Sequence, residues 1–152
     1  MAGLLFTFAS GAKALVAATA QTTLQITAPA NQRLKLLHAT VAFDGTNAAA
    51  VPVNIQIVRQ TTAGTFSATL SAGRVNTGTS DETAQAVGKT TSTAEPTYSD
   101  VLEDFNITPN AGTLIYDLPF SQEHQVPGGG RVGIVLTAPA IVNARTTLKY
   151  EE

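Results

Sequence analysis

Cysteine and tryptophan do not occur in this chain, and histidine occurs twice, at His38 and His124. Without cysteine there are no disulfides, no thiolate nucleophile, no Fe–S cluster and no Cys-based zinc site. Charge is also scarce. Charged residues are 13% of the 152, against about 25% in an ordinary soluble domain. Nine Lys and Arg stand against eleven Asp and Glu, for a net charge of −2. No basic stripe is available to neutralise a run of phosphates, which argues against nucleic-acid binding. With no Trp, only Tyr98, Tyr116 and Tyr150 offer polar rings for stacking on a sugar. Long apolar runs are missing too. Residues 14–32 are uncharged but rich in Thr and Gln and contain Pro29, unlike a membrane span of about 20 apolar residues.

What remains is rich in Ala and Thr, with 43% hydrophobic residues. Disorder needs low hydrophobicity and high net charge, so a folded chain is expected. The length fits one domain. Residues 1–20 form an apolar N-terminal segment that ends in Ala18-Thr19-Ala20, which has the small-residue look of a signal-peptidase site. No basic residue precedes Leu4-Leu5-Phe6, and Lys13 interrupts the run, so an arm or first strand is the better reading.

Alternation with period two dominates the rest. Val51, Val53, Ile55 and Ile57 alternate with Pro52, Asn54 and Gln56, and Val132, Ile134 and Leu136 alternate near the end with Gly133 between them. Val142, Ala144, Thr146, Leu148 and Tyr150 share one face of a last strand. Between residues 33 and 43, Leu37, Ala39, Val41 and Phe43 share a face while Leu34 and Leu36 fall on the other. That predicts a bulge, or a second face covered by the N-terminal arm. Further strands are expected at 24–27, 65–70, 101–107 and 113–120. Turn signals follow at Asp44-Gly45, Ala63-Gly64, Pro109 to Gly112 and Pro127 to Gly130. Residues 72–97 read as a long Thr/Ser/Gly-rich loop, with a helical turn over 81–87. The pattern predicts an all-β fold: an antiparallel β-sandwich of jelly-roll type with about eight strands, as one domain over 21–152. Its inner faces should hold Val41, Phe43, Val53, Ile55, Ile57, Ile134, Leu136 and Leu148.

Candidate chemical motifs are weak. Gly88-Lys89-Thr90 imitates the end of a P-loop, but the required earlier glycine is Thr83. Gly128-Gly129-Gly130-Arg131 could be an anion nest, though a turn with positive φ explains it as well. Asp100, Glu103 and Asp104, with Glu95 upstream, fit no calcium loop; on a regular strand Asp100 and Asp104 share a face and Glu103 points away. A charged edge that discourages strand pairing is the simpler reading. Glu123-His124 and His38 come with no G-x-S-x-G nucleophile motif. His38, His124, Asp100 and Asp104 are not expected to converge on one pocket. The expectation is a protein that is not an enzyme, with no catalytic residues, cofactor or metal.

Several stretches carry a resemblance. They are Phe43-Asp44-Gly45-Thr46, Pro52-Val53, and Arg59-Gln60-Thr61-Thr62-Ala63-Gly64-Thr65. Thr93-Ala94-Glu95-Pro96-Thr97 and Asp100-Val101-Leu102 follow, then Pro127 through Val135, Ala138-Pro139-Ala140 and Val142-Asn143. Over residues 33–152 the chain resembles a group of small β-rich proteins encoded by tailed bacteriophages and prophages. The resemblance implies a virion structural protein and brings no catalytic residues.

Together these readings give an expected function. The chain would be a capsid decoration (cementing) protein on the virion surface, made in the host cytoplasm. It would bind the major capsid protein, as a homo-oligomer and most simply a trimer, with no nucleic acid and no membrane as partner. The alternative is a tail- or fibre-associated domain that binds a host-surface glycan. Leu4, Leu5, Phe6, Phe8, Leu15 and Val16 are the interface candidates. They are too apolar to lie free in water, so residues 1–20 are expected to dock on a neighbouring subunit or the capsid.

Overall fold

A computed structural model describes residues 3–44, 51–75, 83–110 and 112–152. Within them the chain forms twelve strands and no helix: β1 (Leu5–Ala14), β2 (Ala20–Thr27), β3 (Leu34–Phe43), β4 (Val53–Gln60), β5 (Thr65–Leu70), β6 (Gly73–Arg74), β7 (Val87–Ala94), β8 (Tyr98–Ile107), β9 (Thr113–Asp117), β10 (His124–Val126), β11 (Arg131–Thr137) and β12 (Asn143–Glu151). They make two antiparallel sheets of six strands each. The first runs β10-β3-β12-β1-β6, with β9 also paired to β3. The second runs β5-β7-β2-β11-β4-β8. The fold is all-β, two sheets enclosing one apolar layer, as the alternation predicted.

The pairing is nested. β1 lies beside β12, β2 beside β11, β3 beside β10 and β9, β4 beside β8, and β5 beside β7. The chain is therefore doubled back on itself as one long ribbon. Where β4–β8 gives way to β5–β7, Thr61 and Thr62 donate their N–H groups to Thr97 O at 2.8 and 3.5 Å. The ribbon's tip then reaches the other sheet, where β6 pairs with Phe6 and Thr7 of β1.

Burial follows the pleat. Val41, Val53, Ile55, Ile57, Ile134, Leu136 and Leu148 are buried in the core, and Phe43 packs half-buried against it. Each fully buried side chain of this kind contributes about 1.5–3 kcal/mol. The two-faced pattern of β3 resolves into a bulge. Lys149 faces His38 and Tyr150 faces Leu36, so Leu37 is the extra residue. It lets Leu34 and Leu36 point inward along with Ala39 and Val41.

Two expectations need correction. Residues 72–97 are not one long loop: β6 and β7 lie there, which with the separate β9 and β10 raises the strand count above eight. β7 needs no large side chains, because what it offers the interior is small. A Cβ on Gly88 would stand 2.5 Å from the Phe8 ring, and the Thr90 hydroxyl donates to Thr23 O at 2.7 Å. Of the helical turn expected over 81–87, Asp81 and Glu82 lie outside the described residues, and 83–86 are not helical.

The second correction concerns the docking expected of residues 1–20; of the two readings, arm or first strand, the strand is the one that forms. These residues supply β1, held between β12 and β6. Phe6, Phe8 and Leu15 are buried in this chain's own core, with the Phe8 and Tyr150 rings stacked at 5.4 Å. Gly11, at φ +70, marks a bulge between Ala9 and Ala12. There the Ser10 hydroxyl accepts the Thr146 N–H at 3.0 Å and so closes the gap in the ladder. This segment is the first strand of the domain, not an arm that leaves it, because its apolar residues alternate toward the same interior as β12.

Candidate interaction surface

The six interface candidates separate by position. Phe6, Phe8 and Leu15 face inward, as above. Leu4 packs partly buried on the core, and its backbone exchanges bonds with Glu152 at 2.9 and 3.0 Å. Leu5 is half-buried. Val16 alone of the six is well exposed, at 54%. It sits in the connection from β1 to β2, where Leu15 N–H donates to Val142 O and Ala18 N–H to Ala138 O. Ala18, part of the signal-peptidase look-alike, takes φ +55 in this turn. The contacts bring Val16 to the same end of the sandwich as the β11–β12 connection, which carries Ile141 at 67% exposure. Val51, 55% exposed, precedes β4 at that end. Three connections thus present aliphatic side chains, with Pro52 and Pro139 beside them.

The titratable candidates do not gather at that end. His38 Nδ1 pairs with Asp117 Oδ1 across β3 and β9, and its Nε2 lies 3.2 Å from the Thr40 hydroxyl. His124 Nε2 lies 3.1 Å from Glu103 Oε1, and the Tyr116 hydroxyl donates to that same oxygen at 2.6 Å. Tyr116 is pushed up to about 12, first by this bond, then by burial and by the nearby Glu103 charge. The Phe105 ring packs on Tyr116 at 5.1 Å. Glu103 on β8 therefore ties the second sheet to β9 and β10 of the first and closes one edge of the sandwich. Sequence reasoning missed this trio because the strand is not regular. Glu103 faces Ile57 but Val101 faces Val58, so Leu102 is an extra residue.

That bulge also corrects the expected faces of the acidic cluster. Asp104 lies opposite Gln56 and Asp100 opposite Arg59, positions of opposite parity on β4. The two aspartates are on different faces, and Glu103 shares the face of Asp100. Asp104 accepts from Asn54 Nδ2 at 2.6 Å and Gln56 Nε2 at 3.1 Å, a polar strip on the outer side. Glu95 belongs to neither. It sits at the ribbon's corner, where its Oε2 accepts the Thr22 N–H at 2.7 Å. Among the described residues no three His, Asp or Glu side chains converge to hold a metal ion.

The glycine motifs have local work. Gly129, at φ +73, donates to Pro29 O at 3.2 Å, and Gly130 donates to Pro127 O at 2.8 Å. Those N–H groups are committed to the turn, so the anion nest is not formed there. Gly88-Lys89-Thr90 lies inside β7 with no helix after it, so the P-loop likeness has no structural counterpart.

Lys13, half-buried at the end of β1, is pulled below the usual lysine range by burial, with the Glu95 charge partly opposing. Compared with family models, curated proteins and solved structures, the chain matches none of them.

Proposed function

We propose that this chain is a structural protein of a tailed-bacteriophage virion: a decoration protein that binds the major capsid protein on the outside of the shell, as a homotrimer. The observation that carries the reading is the apolar end formed by Val16, Val51 and Ile141 on three adjoining connections. The likeness of residues 33–152 to small β-rich phage proteins supports the phage origin. The nested pairing supports a jelly-roll topology, since a ribbon doubled on itself and wrapped into two sheets is how that fold is built.

The mechanism is binding without chemistry. Burying what remains exposed of each aliphatic side chain yields about 1–2 kcal/mol. Three of them give about 3–6 kcal/mol, no more than the lower part of the roughly 4–15 kcal/mol that association costs. One copy alone therefore holds weakly, and attachment depends on several linked copies engaging together. The test is co-sedimentation of the labelled protein with bare shells of the major capsid protein encoded in the same genome. Saturable binding that Val16→Asp with Ile141→Asp weakens by roughly tenfold or more supports the reading. No binding, or binding unchanged in the double variant, refutes it.

A second reading, glycan binding at the host surface, is favoured by one feature. Asn54, Gln56, Asp104 and Asn106 form a flat amide and carboxylate strip on the outer face of β4 and β8, with Tyr98 further along that face. Calorimetry with purified host polysaccharide, using Asp104→Ala as the control, separates this reading from shell binding.

A further inference from the structure

A strand at the end of a sheet offers unpaired N–H and C=O groups to any other strand, and proteins blunt such edges with charge, bulges or shortness. Most edges of this sandwich are blunted. β6 and β10 are two and three residues long. β9 carries Asp117 and is tied to β8 through Tyr116 and Glu103. β8 is long, but it holds Asp100, Glu103 and Asp104, and two register shifts against β4 break its line. β5 is the exception. It ends the second sheet, pairs with β7 on one side, and among the described residues has no strand on the other. Its six residues, Thr65 to Leu70, include no charge, proline or glycine. An uncharged run rich in Thr and large apolar side chains is well suited to pairing.

The inner face of β5 is also incompletely covered. Phe66, Ala68 and Leu70 lie opposite Ser92, Thr90 and Gly88, so they share the face that looks into the sandwich. The first sheet ends on this side in the two-residue β6. Phe66 and Leu70 are therefore only half-buried, and Ala68 is exposed. Ser67 and Thr69 point outward and are exposed.

We infer that β5 pairs antiparallel with β5 of a second copy, about a two-fold axis perpendicular to the sheet. With the axis at Ala68, Phe66 of each copy lies opposite Leu70 of the other, and Ala68 lies opposite itself. Both half-buried side chains then gain an apolar neighbour across the seam. An axis at Ser67 would set Phe66 against Ala68 and Leu70 against Gly64; one at Thr69 would set Leu70 against Ala68 and Phe66 against Ala72. The apolar pattern thus selects one register. The lack of charge is what lets this strand meet itself, since like charges directly opposite are destabilising. β8, with its three carboxylates, cannot do the same. The contact is isologous and joins two six-stranded sheets into one continuous sheet. It uses none of Val16, Val51 and Ile141, so it rests on no assumption about the shell.

Disulfide trapping and sedimentation of the full chain test it. Because the chain has no cysteine, Ala68→Cys gives one thiol per copy, and in this register the two thiols face each other across the axis, within reach of a disulfide. Under mild oxidation Ala68→Cys should form a covalent pair. Ser99→Cys, exposed on β8, should not. If Ala68→Cys does not fold, Ser67→Cys mixed with Thr69→Cys tests the same register, because those positions lie opposite each other across the axis. In sedimentation the wild type should self-associate. Ala68→Lys and Ala68→Glu each set like charges against one another and should weaken that association roughly tenfold, with unchanged circular dichroism spectra. Mixing the two should restore it. The inference is overturned if neither cysteine design gives a covalent pair, if Ala68→Lys associates as strongly as the wild type, or if mixing the charged variants restores nothing.

Discussion

The side chain of Gln60 lies across Gly133, close enough that a Cβ on that glycine would stand 2.6 Å from Gln60 Nε2. Gln60 reaches over β11 to join β4 to β2: its Nε2 donates to Thr22 Oγ1 at 3.2 Å, and its Oε1 accepts from Gln25 Nε2 at 2.7 Å. Both glutamines are buried, so the amide cannot swing aside without abandoning those bonds. Gly133→Ala should cost about 1–3 kcal/mol, as overpacking does. Urea denaturation measures it, and adding Gln60→Ala should recover part of the loss. A neutral Gly133→Ala would mean that the amide is free to move.

Residues 1–20 provide a second test. Phe8 is buried against Tyr150 and against Gly88 of β7. Phe8→Ala should destabilise the domain by about 3–5 kcal/mol, a large share of the roughly 5–15 kcal/mol that a domain has. Removing residues 1–20 should abolish cooperative unfolding altogether, read by thermal denaturation. A truncated chain that melts cooperatively would restore the separate-arm reading.

Tyr116 offers a test by pH. Its value in the folded chain lies near 12, above the ordinary 10.0. A raised value means that the associated stability is present in full below about pH 10 and is lost as the pH rises through about 12. The stability of the wild type should therefore fall over that window. Tyr116→Phe should lower stability at neutral pH by about 1 kcal/mol, the usual net worth of one hydrogen bond. The variant should also show a smaller fall between pH 10 and 12, measured by denaturation at each pH. An identical pH dependence in both proteins would show that the Glu103 bond does not hold the edge.

Much of the fold was legible wherever one face of a strand is apolar. Val53, Ile55 and Ile57, and the β12 series from Ala144 to Tyr150, declare their inward faces by period alone. The switch of apolar face in mid-β3 was legible, with a bulge as one of its two readings, but its place at Leu37 was not, since Leu37 reads as one face with Ala39 and Val41. β7 was not, since its inward residues are Gly88 and Thr90 and its burial comes from what packs on them. β1 carried the right alternation in Phe6 and Phe8, but the bulge at Gly11 cuts the pattern short, and an apolar N-terminus reads equally as an arm. The edge trio of Glu103, Tyr116 and His124 was hidden by the extra residue Leu102, which reverses the faces that a regular strand predicts. The strand expected over 113–120 runs too far, since β9 stops at Asp117 and Phe120 stands in the turn that follows.

The most direct test of the proposed role is a density map of whole virions produced by the genome that encodes this chain. The account predicts many copies on the outer surface of the head, arranged around local three-fold positions, with the end that carries Val16, Val51 and Ile141 against the major capsid protein. Virions that lack the chain, or that carry it at the tail and not on the head, would contradict it.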